Sequence, residues 1–263
     1  MERADIPENQ QAWLQDTYGA WVHRYGTPGE AVLQLRKNPA TVLQPIAKHF
    51  GAVSGKRIAN LMGSNGIKAV ALAMLGAKVT LFDFSPGNIS YAQQLAQAAG
   101  VEVGVVVGDV LHLPETYSGG NCDLVFAELG ITHYFTDLEP FMGVVSNLLG
   151  SGGRFVLRDF HPVSTKLISF RGTTAKVRKY KVTGDYFDRT LEERDASYTK
   201  HLPLGASESV PKVFWRKWTL GEVVTAVAGS GLFIRSLEEE PNLSSEVFDK
   251  GIPKTYTLVA DKV

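Results

Sequence analysis

The sequence predicts an α/β fold: a doubly wound, mostly parallel seven-stranded sheet with an antiparallel C-terminal strand pair, an N-terminal helical cap and an insertion after strand five. Three observations predict it. Between residues 56 and 160, short apolar runs alternate with stretches of helical periodicity, the signature of βαβ units around a parallel sheet. Near the end of the chain, the strand-like runs LFIRSLEEE and TYTLVAD follow each other with no helix between them, so they pair antiparallel at the sheet edge. Before residue 52 the periodicity is helical.

The elements follow in order. Residues 10–25 carry Trp13, Leu14, Tyr18, Trp21, Val22 and Tyr25 at i, i+3, i+4 spacing, an amphipathic helix with an aromatic stripe. Thr27, Pro28 and Glu30 form a capping box with proline in the first turn. Asn38-Pro39 opens a third helix that Gly51 closes. Residues 57–61 are the first strand, and a helix over 66–75 stops at Gly76. A second strand over 78–82 runs into Asp83, and Ser85-Pro86 caps a long helix that Gly100 ends. Strands over 101–107, 123–127 and 154–157 follow, with a helix capped by residues 136–139 before the last of them. Residues 163–212 lack helical periodicity and contain KVRKYKVTGDYFD, which reads as a hairpin. A capping box at Thr219 and Glu222 restores the helix before the closing strands. The organisation is therefore a helical cap over 1–51 and an α/β domain over 52–263, its insertion 163–212 contributing to a substrate pocket.

Bulk properties narrow the function class. Lys+Arg and Asp+Glu are 27 each in 263 residues, so no global field favours nucleic acid or an acidic partner. The single cysteine, Cys122, excludes an internal disulfide and fits a reducing cytoplasm. The polar N-terminus has no apolar signal-peptide core, and no apolar run reaches the ~20 residues of a membrane span.

The stretch RIANLMGSNG, residues 57–66, joins the first strand to a helix through a polar loop. Backbone N–H groups at such a junction suit an anionic or strongly polar ligand. Asp83 ends the next strand, where a carboxylate can accept both hydroxyls of a ribose. Strand three ends in VVVGDVLHLP, bringing Asp109 and Val110 to its carboxyl edge, and strand four in DLVFAELGITHYF, bringing Glu128, Leu129 and Gly130. Ligands of open α/β sheets bind at that edge, near the point where strand order reverses.

NLMGSNG, the acid of LFDFS, GDVLHLP and LLGSGGRFVLRDF together resemble the Rossmann-like (class I) S-adenosylmethionine-dependent methyltransferases, over roughly residues 55–160 and, through the closing strand pair, to the C-terminus. The resemblance implies S-adenosyl-L-methionine as cofactor and S-adenosyl-L-homocysteine as product. It places Met62, Gly63, Ser64 and Gly66 at the amino-acid part, Asp83 and Phe84 at the ribose, Asp109 and Val110 at the adenine, and Glu128 and Leu129 near the methionine end. It also implies a lid helix, whose Tyr18, Trp21 or Tyr25 closes over the ligands. The loop departs from the family pattern: Asn60 stands where an acid is usual, and Met62 and Ser64 where glycines are; Gly66 matches. Met62 and Ser64 must avoid positive φ or bear its cost.

Methyl transfer from a sulfonium needs orientation, exclusion of water and, for a hydroxyl or protonated amine, a base. Candidates beyond strands four and five are His133 first, then Asp159 and His161, with Tyr134 beside them; Asp159 and His161 read equally well as a strand-end cap before Pro162. No paired Cys/His spacing suggests a metal. Trp215 and Trp218 offer an aromatic wall for a planar or cationic acceptor, or simple packing. The basic run Arg171, Lys176, Arg178, Lys179 and Lys181 is followed by Glu192, Glu193 and Asp195, which reads as a self-compensating hairpin rather than a nucleic-acid site. The expected partner is a small-molecule acceptor, without nucleic acid or membrane, and a homodimer is allowed. The loop's departures keep a second reading open, a non-catalytic or regulatory nucleoside-binding protein of the same fold.

Overall fold

Five apolar runs become β1 (Arg57–Leu61), β2 (Lys78–Asp83), β3 (Val103–Val107), β4 (Cys122–Glu128) and β5 (Leu149–Phe160) in a computed structural model that describes residues 7–117, 119–169, 181–203, 210–241 and 251–263. Short pairs follow: β6 (Ile168–Ser169) with β7 (Lys181–Val182), and β8 (Leu191–Asp195) with β9 (Lys212–Arg216). The closing strands are β10 (Leu232–Pro241) and β11 (Pro253–Lys262). The main sheet has the order β10-β11-β5-β4-β1-β2-β3. β11 runs antiparallel to both neighbours, and the remaining pairs are parallel. Chain order reverses between β1 and β4, so a crevice opens at their carboxyl ends.

Helices cover both faces. α1 (Pro7–Trp13), α2 (Thr17–Tyr25), α3 (Pro28–Lys37) and α4 (Ala47–Phe50) form the cap, and α5 (Ile67–Met74), α6 (Pro86–Ala99), α7 (Glu139–Leu148) and α8 (Leu220–Gly229) are the crossover and C-terminal helices. Local signals act as read: Ser85 caps α6, and both capping boxes, at Thr27 and Thr219, are closed. The cap shares one apolar cluster with α5, α6 and one sheet face, containing Ala20, Trp21, Leu35, Phe50, Leu81 and Tyr91. The other sheet face packs on α7 and α8 through Phe141, Met142, Phe155, Val223 and Tyr256. No helix among the described residues is long and apolar enough to cross a membrane.

Three expectations need correction. The single helix expected over 10–25 is two, because the Asp16 side chain accepts a hydrogen bond from the Gly19 amide and starts α2 anew. The helix expected from Asn38 to Gly51 is a 3-10 turn (Pro39–Leu43) followed by α4, because Pro45 lacks the N–H a continuous helix needs. Strand five begins earlier than its apolar core, at Leu149. The acids of β8 pair with Lys212 and Lys217 or within the strand, as in Lys212–Asp195 (2.7 Å), Lys217–Glu192 and Arg194–Glu192. Arg171, Lys176, Arg178 and Lys179, and with them residues 176–180 of the expected hairpin, lie outside the described residues.

α2 rests on a 3-10 turn, Thr199–His201, from the 163–212 segment. There Arg24 Nη1 lies 2.7 Å from His201 Nε2. The guanidinium can only donate, so Nε2 accepts and the imidazole is neutral. Burial, with Arg24, Lys200 and His23 nearby, holds the His201 imidazole down to about 4, against an ordinary 6.5.

Two expectations follow. The unfolded chain protonates His201 near pH 6.5 and the folded chain only near 4, so the stability held above 6.5 is lost as pH falls between those values. The melting temperature of wild type is expected to fall more steeply over that window than that of His201→Gln, and parallel curves count against it. At Gly66, whose φ is +71°, a Cβ would lie 2.4 Å from the Ala92 Cβ of α6. Gly66→Ala should cost roughly 3 kcal/mol, or several degrees of melting temperature, whereas Ser64→Gly, which relieves a positive φ, should gain about 0.5 kcal/mol.

Candidate active site

The β1–α5 loop reaches its shape without the expected glycines. Met62, Ser64 and Gly66 all have positive φ, 47°, 54° and 71°. The first two accept the left-handed region at roughly 1 kcal/mol each. One contact fixing the turn is the buried Asp83 carboxylate at the end of β2. Its Oδ2 accepts from the Ser64 amide (2.9 Å); its Oδ1 accepts from the Ser85 amide (2.9 Å) and Asn88 Nδ2 (3.0 Å). Burial pushes the Asp83 carboxyl up, and these donors pull it back. The cap joins the same network, since Trp21 Nε1 donates to Asn88 Oδ1 (2.7 Å) and Thr17 bonds Ser85 (2.9 Å).

A cavity of about 620 Å³ opens beside this loop at the carboxyl edge of the sheet. Met62, Gly63, Ser64, Asp83, Phe84, Asp109, Val110, Glu128, Leu129 and Tyr25 line it. The four strand ends singled out in the sequence thus share one space. Asp109 accepts from Gln10 of α1 (3.0 Å) and from the Leu111 amide (2.9 Å). Glu128 pairs with Arg158 (3.2 Å) and with Lys68. Asn60 is buried on the cavity wall. The lining combines the acid at the end of β2, an apolar Val110 beside Asp109, and a polar loop with Asn60 beside it.

Five expected residues do not line this cavity; one is Gly66, which turns against Ala92 and Leu81 at the start of α5. Tyr18 turns away: its hydroxyl donates to Gln94 (2.8 Å) and its ring meets Tyr91 edge-on. Asp159 is fully buried and saturated by the amides of Gly130 (2.6 Å), Thr132 (3.0 Å) and Phe160 (2.8 Å) and by the Thr132 hydroxyl (2.7 Å). It anchors the loop after β4, where Leu129 has φ 60°. His161 uses both nitrogens, Nδ1 accepting from the Val163 amide (3.1 Å) and Nε2 against Glu239 (2.6 Å); burial lowers its pKa and Glu239 opposes that. This is the strand-end cap before Pro162.

His133 sits one ring behind the wall. It stacks on Trp215 (5.0 Å, 7°) and Phe160 (6.2 Å, 19°), both of which line the cavity. Its Nδ1 is 3.0 Å from the Arg216 carbonyl, which can only accept, so Nδ1 carries the proton and the buried, unpartnered Nε2 keeps its lone pair. Tyr134 lines the cavity directly, and burial pushes its hydroxyl up to about 12. The sequence reading missed Lys68, Asn88, Arg24, Ser197 and Lys200. Lys68 was visible as the lone charge in the otherwise apolar IKAVALAM; the others gave no local signal. Trp215, on β9, lines the cavity, while Trp218 is buried under Arg216 (3.4 Å from guanidinium to ring). Among the described residues no group of three His, Cys, Asp or Glu is placed to hold a metal ion.

Comparison with known proteins agrees with this geometry. A Thermus thermophilus demethylmenaquinone methyltransferase is 35% identical over 109 residues, 41% of this chain and 48% of that protein, so the chain spans about half the length of this relative. Among solved structures, an S-adenosylmethionine-dependent methyltransferase from Mesorhizobium loti superposes with a TM-score of 0.64 at 21% identity, covering 83% of this chain and 97% of the other. The glycopeptide N-methyltransferase MtfA, solved with sinefungin, gives 0.56 at 15% identity, covering 86% and 94%. The sequence profile of a methyltransferase domain matches residues 55–200. The chain belongs to this methyltransferase-domain family and has the class I fold of the S-adenosylmethionine-dependent enzymes.

Proposed function

We propose that the protein transfers a methyl group from S-adenosyl-L-methionine to an O, N or C nucleophile of a small-molecule acceptor, in the cytoplasm. The observation that carries this is the convergence of Met62–Ser64, Asp83, Asp109–Val110 and Glu128–Leu129 on one cavity at the carboxyl edge of the sheet. When bound, the cofactor supplies an activated methyl group. The chain's own contribution is then orientation, exclusion of water and removal of a proton. Asp83 accepts hydrogen bonds at the ribose position, and the Met62–Gly66 loop presents polar backbone to the amino-acid end. Trp21 and Tyr25 close the cap side. Asp159 is a positioning residue, holding the loop that presents Glu128 and Leu129. His133 Nε2 is the proton acceptor, reached past Trp215, and its partner carbonyl fixes the tautomer.

Calorimetry with S-adenosyl-L-homocysteine should give saturable binding by wild type. Asp83→Asn should weaken it at least tenfold, for loss of a charge-assisted hydrogen bond. Binding too weak to detect in wild type, with no thermal stabilisation, defeats the reading. Once an acceptor is turned over, with demethylmenaquinone in the test set, His133→Gln should lower kcat by about a hundredfold. Its S-adenosyl-L-homocysteine affinity should stay put, and His161→Gln should leave kcat within a few-fold. An unchanged kcat in His133→Gln removes the residue from the chemistry.

A further inference from the structure

The cavity carries a charge pattern that composition does not reveal. Six charged side chains line the cavity: Asp83, Asp109, Glu128, Arg24, Lys68 and Lys200. The three carboxylates are committed internally. Asp83 is held by Ser64, Ser85 and Asn88, Asp109 by Gln10, Leu111 and His112, and Glu128 by Lys68 and Arg158. The cations at the rim are not. Among the described residues neither Arg24 nor Lys200 has a carboxylate within ion-pair reach; Arg24 lies against His201 (2.7 Å) and over the Tyr25 ring (4.7 Å). His201, its imidazole held down first by burial and then by Arg24 and Lys200, lies near both of these cations.

Aromatic surface shares the cavity with these cations. Trp13, Tyr134 and Trp215 line the same cavity, with Trp13 and Tyr134 edge to face at 6.2 Å. Trp13 and Trp21 come from the cap, Ser197 and Lys200 from the 163–212 segment, and Trp215 from β9. None belongs to the strand ends that form the cofactor side. A planar body between such rings, with an anionic group at the rim, meets both features at once. A cationic acceptor meets unpaired like charges there, which is costly.

We infer that Arg24 and Lys200 select an acceptor that is a planar aromatic compound bearing an anionic group, a carboxylate or an equivalent. The inference rests on the methyltransferase reading above. It turns the aromatic wall, which alone suits planar or cationic molecules alike, toward anions. A second carboxylate is also available to these cations, that of the cofactor's own amino-acid end, and the experiment separates the two.

The test uses a matched series on the whole chain preloaded with S-adenosyl-L-homocysteine: 3,4-dihydroxybenzoate, catechol and 3,4-dihydroxybenzylamine, by calorimetry at neutral pH. The acid is expected to bind about fivefold or more tighter than neutral catechol, and the amine weakest, a preference that shrinks as salt rises. Arg24→Gln and, separately, Lys200→Gln should each reduce the acid's advantage while leaving catechol unchanged. Equal affinity for all three, a preference for the amine, no binding of any, or a preference that survives both substitutions overturns the proposal. If Arg24→Gln weakens S-adenosyl-L-homocysteine but not 5′-methylthioadenosine, which lacks the amino-acid end, the cations serve the cofactor and the acceptor assignment fails. Absence of S-adenosyl-L-homocysteine binding in wild type is a separate result and sinks the methyltransferase reading itself.

Discussion

The Asp83 carboxylate joins three parts of the molecule that share no sequence neighbourhood. It accepts from the β1–α5 loop through Ser64, from the start of α6 through Ser85, and from Asn88, which in turn accepts from Trp21 of the cap. A buried carboxylate is costly unless several donors surround it. Those donors are available only if the loop curls to positive φ, the β2–α6 turn is tight and the cap helix is docked. The need to satisfy one charge therefore couples the geometry of the loop, the end of β2 and the cap. Strain at Met62 and Ser64 follows from that coupling, since the curl is required whether or not glycine occupies those positions.

Asp159 does a parallel task one strand further out. Its four donors come from Gly130, Thr132 and Phe160, so the loop after β4 is tied to the end of β5. Trp218 adds a bond to the Thr132 carbonyl (2.8 Å), bringing the segment after β9 to the same loop. The two acids together explain how a site built from separate loops holds its shape: each loop is pinned by a carboxylate rooted at a strand end rather than by its own residues. Acidic side chains at the carboxyl edge thus divide into those that anchor the frame and those that face the cavity.

Much of this was legible in the sequence because its causes are local. Ser85-Pro86 and the capping boxes at Thr27 and Thr219 need only three or four residues to act. The strand–helix alternation fixes parallel pairing, and the missing crossover before β11 fixes the antiparallel edge. The candidate cofactor residues followed from their places at strand ends. What failed to show was long-range. Nothing near Asp16 announced that its side chain would restart the helix rather than lie on its surface. Asn9, which bonds the backbone of Phe214 from both its amide atoms, gave no sign of stitching α1 to β9. Asp159 and His161 looked like acid–base candidates because Gly130 and Thr132, which saturate the first, and Glu239, which faces the second, lie tens of residues away. Arg24 and Lys200 meet at the rim only after α2 lands on residues 199–201.

The antiparallel strand β11 has a consequence for synthesis. It lies between β5 and β10, with Tyr256 in register with Asp159 and Thr255 with Phe160. Until residues 253–262 leave the ribosome, β5 has an open edge and the strand carrying Asp159 lacks its outer neighbour. Contacts this distant in sequence close slowly. The nascent chain can assemble β1–β4 and their helices early. The pocket wall beyond β4 matures only after translation has passed residue 262, so interruptions late in synthesis are costlier to this site than their distance from it suggests.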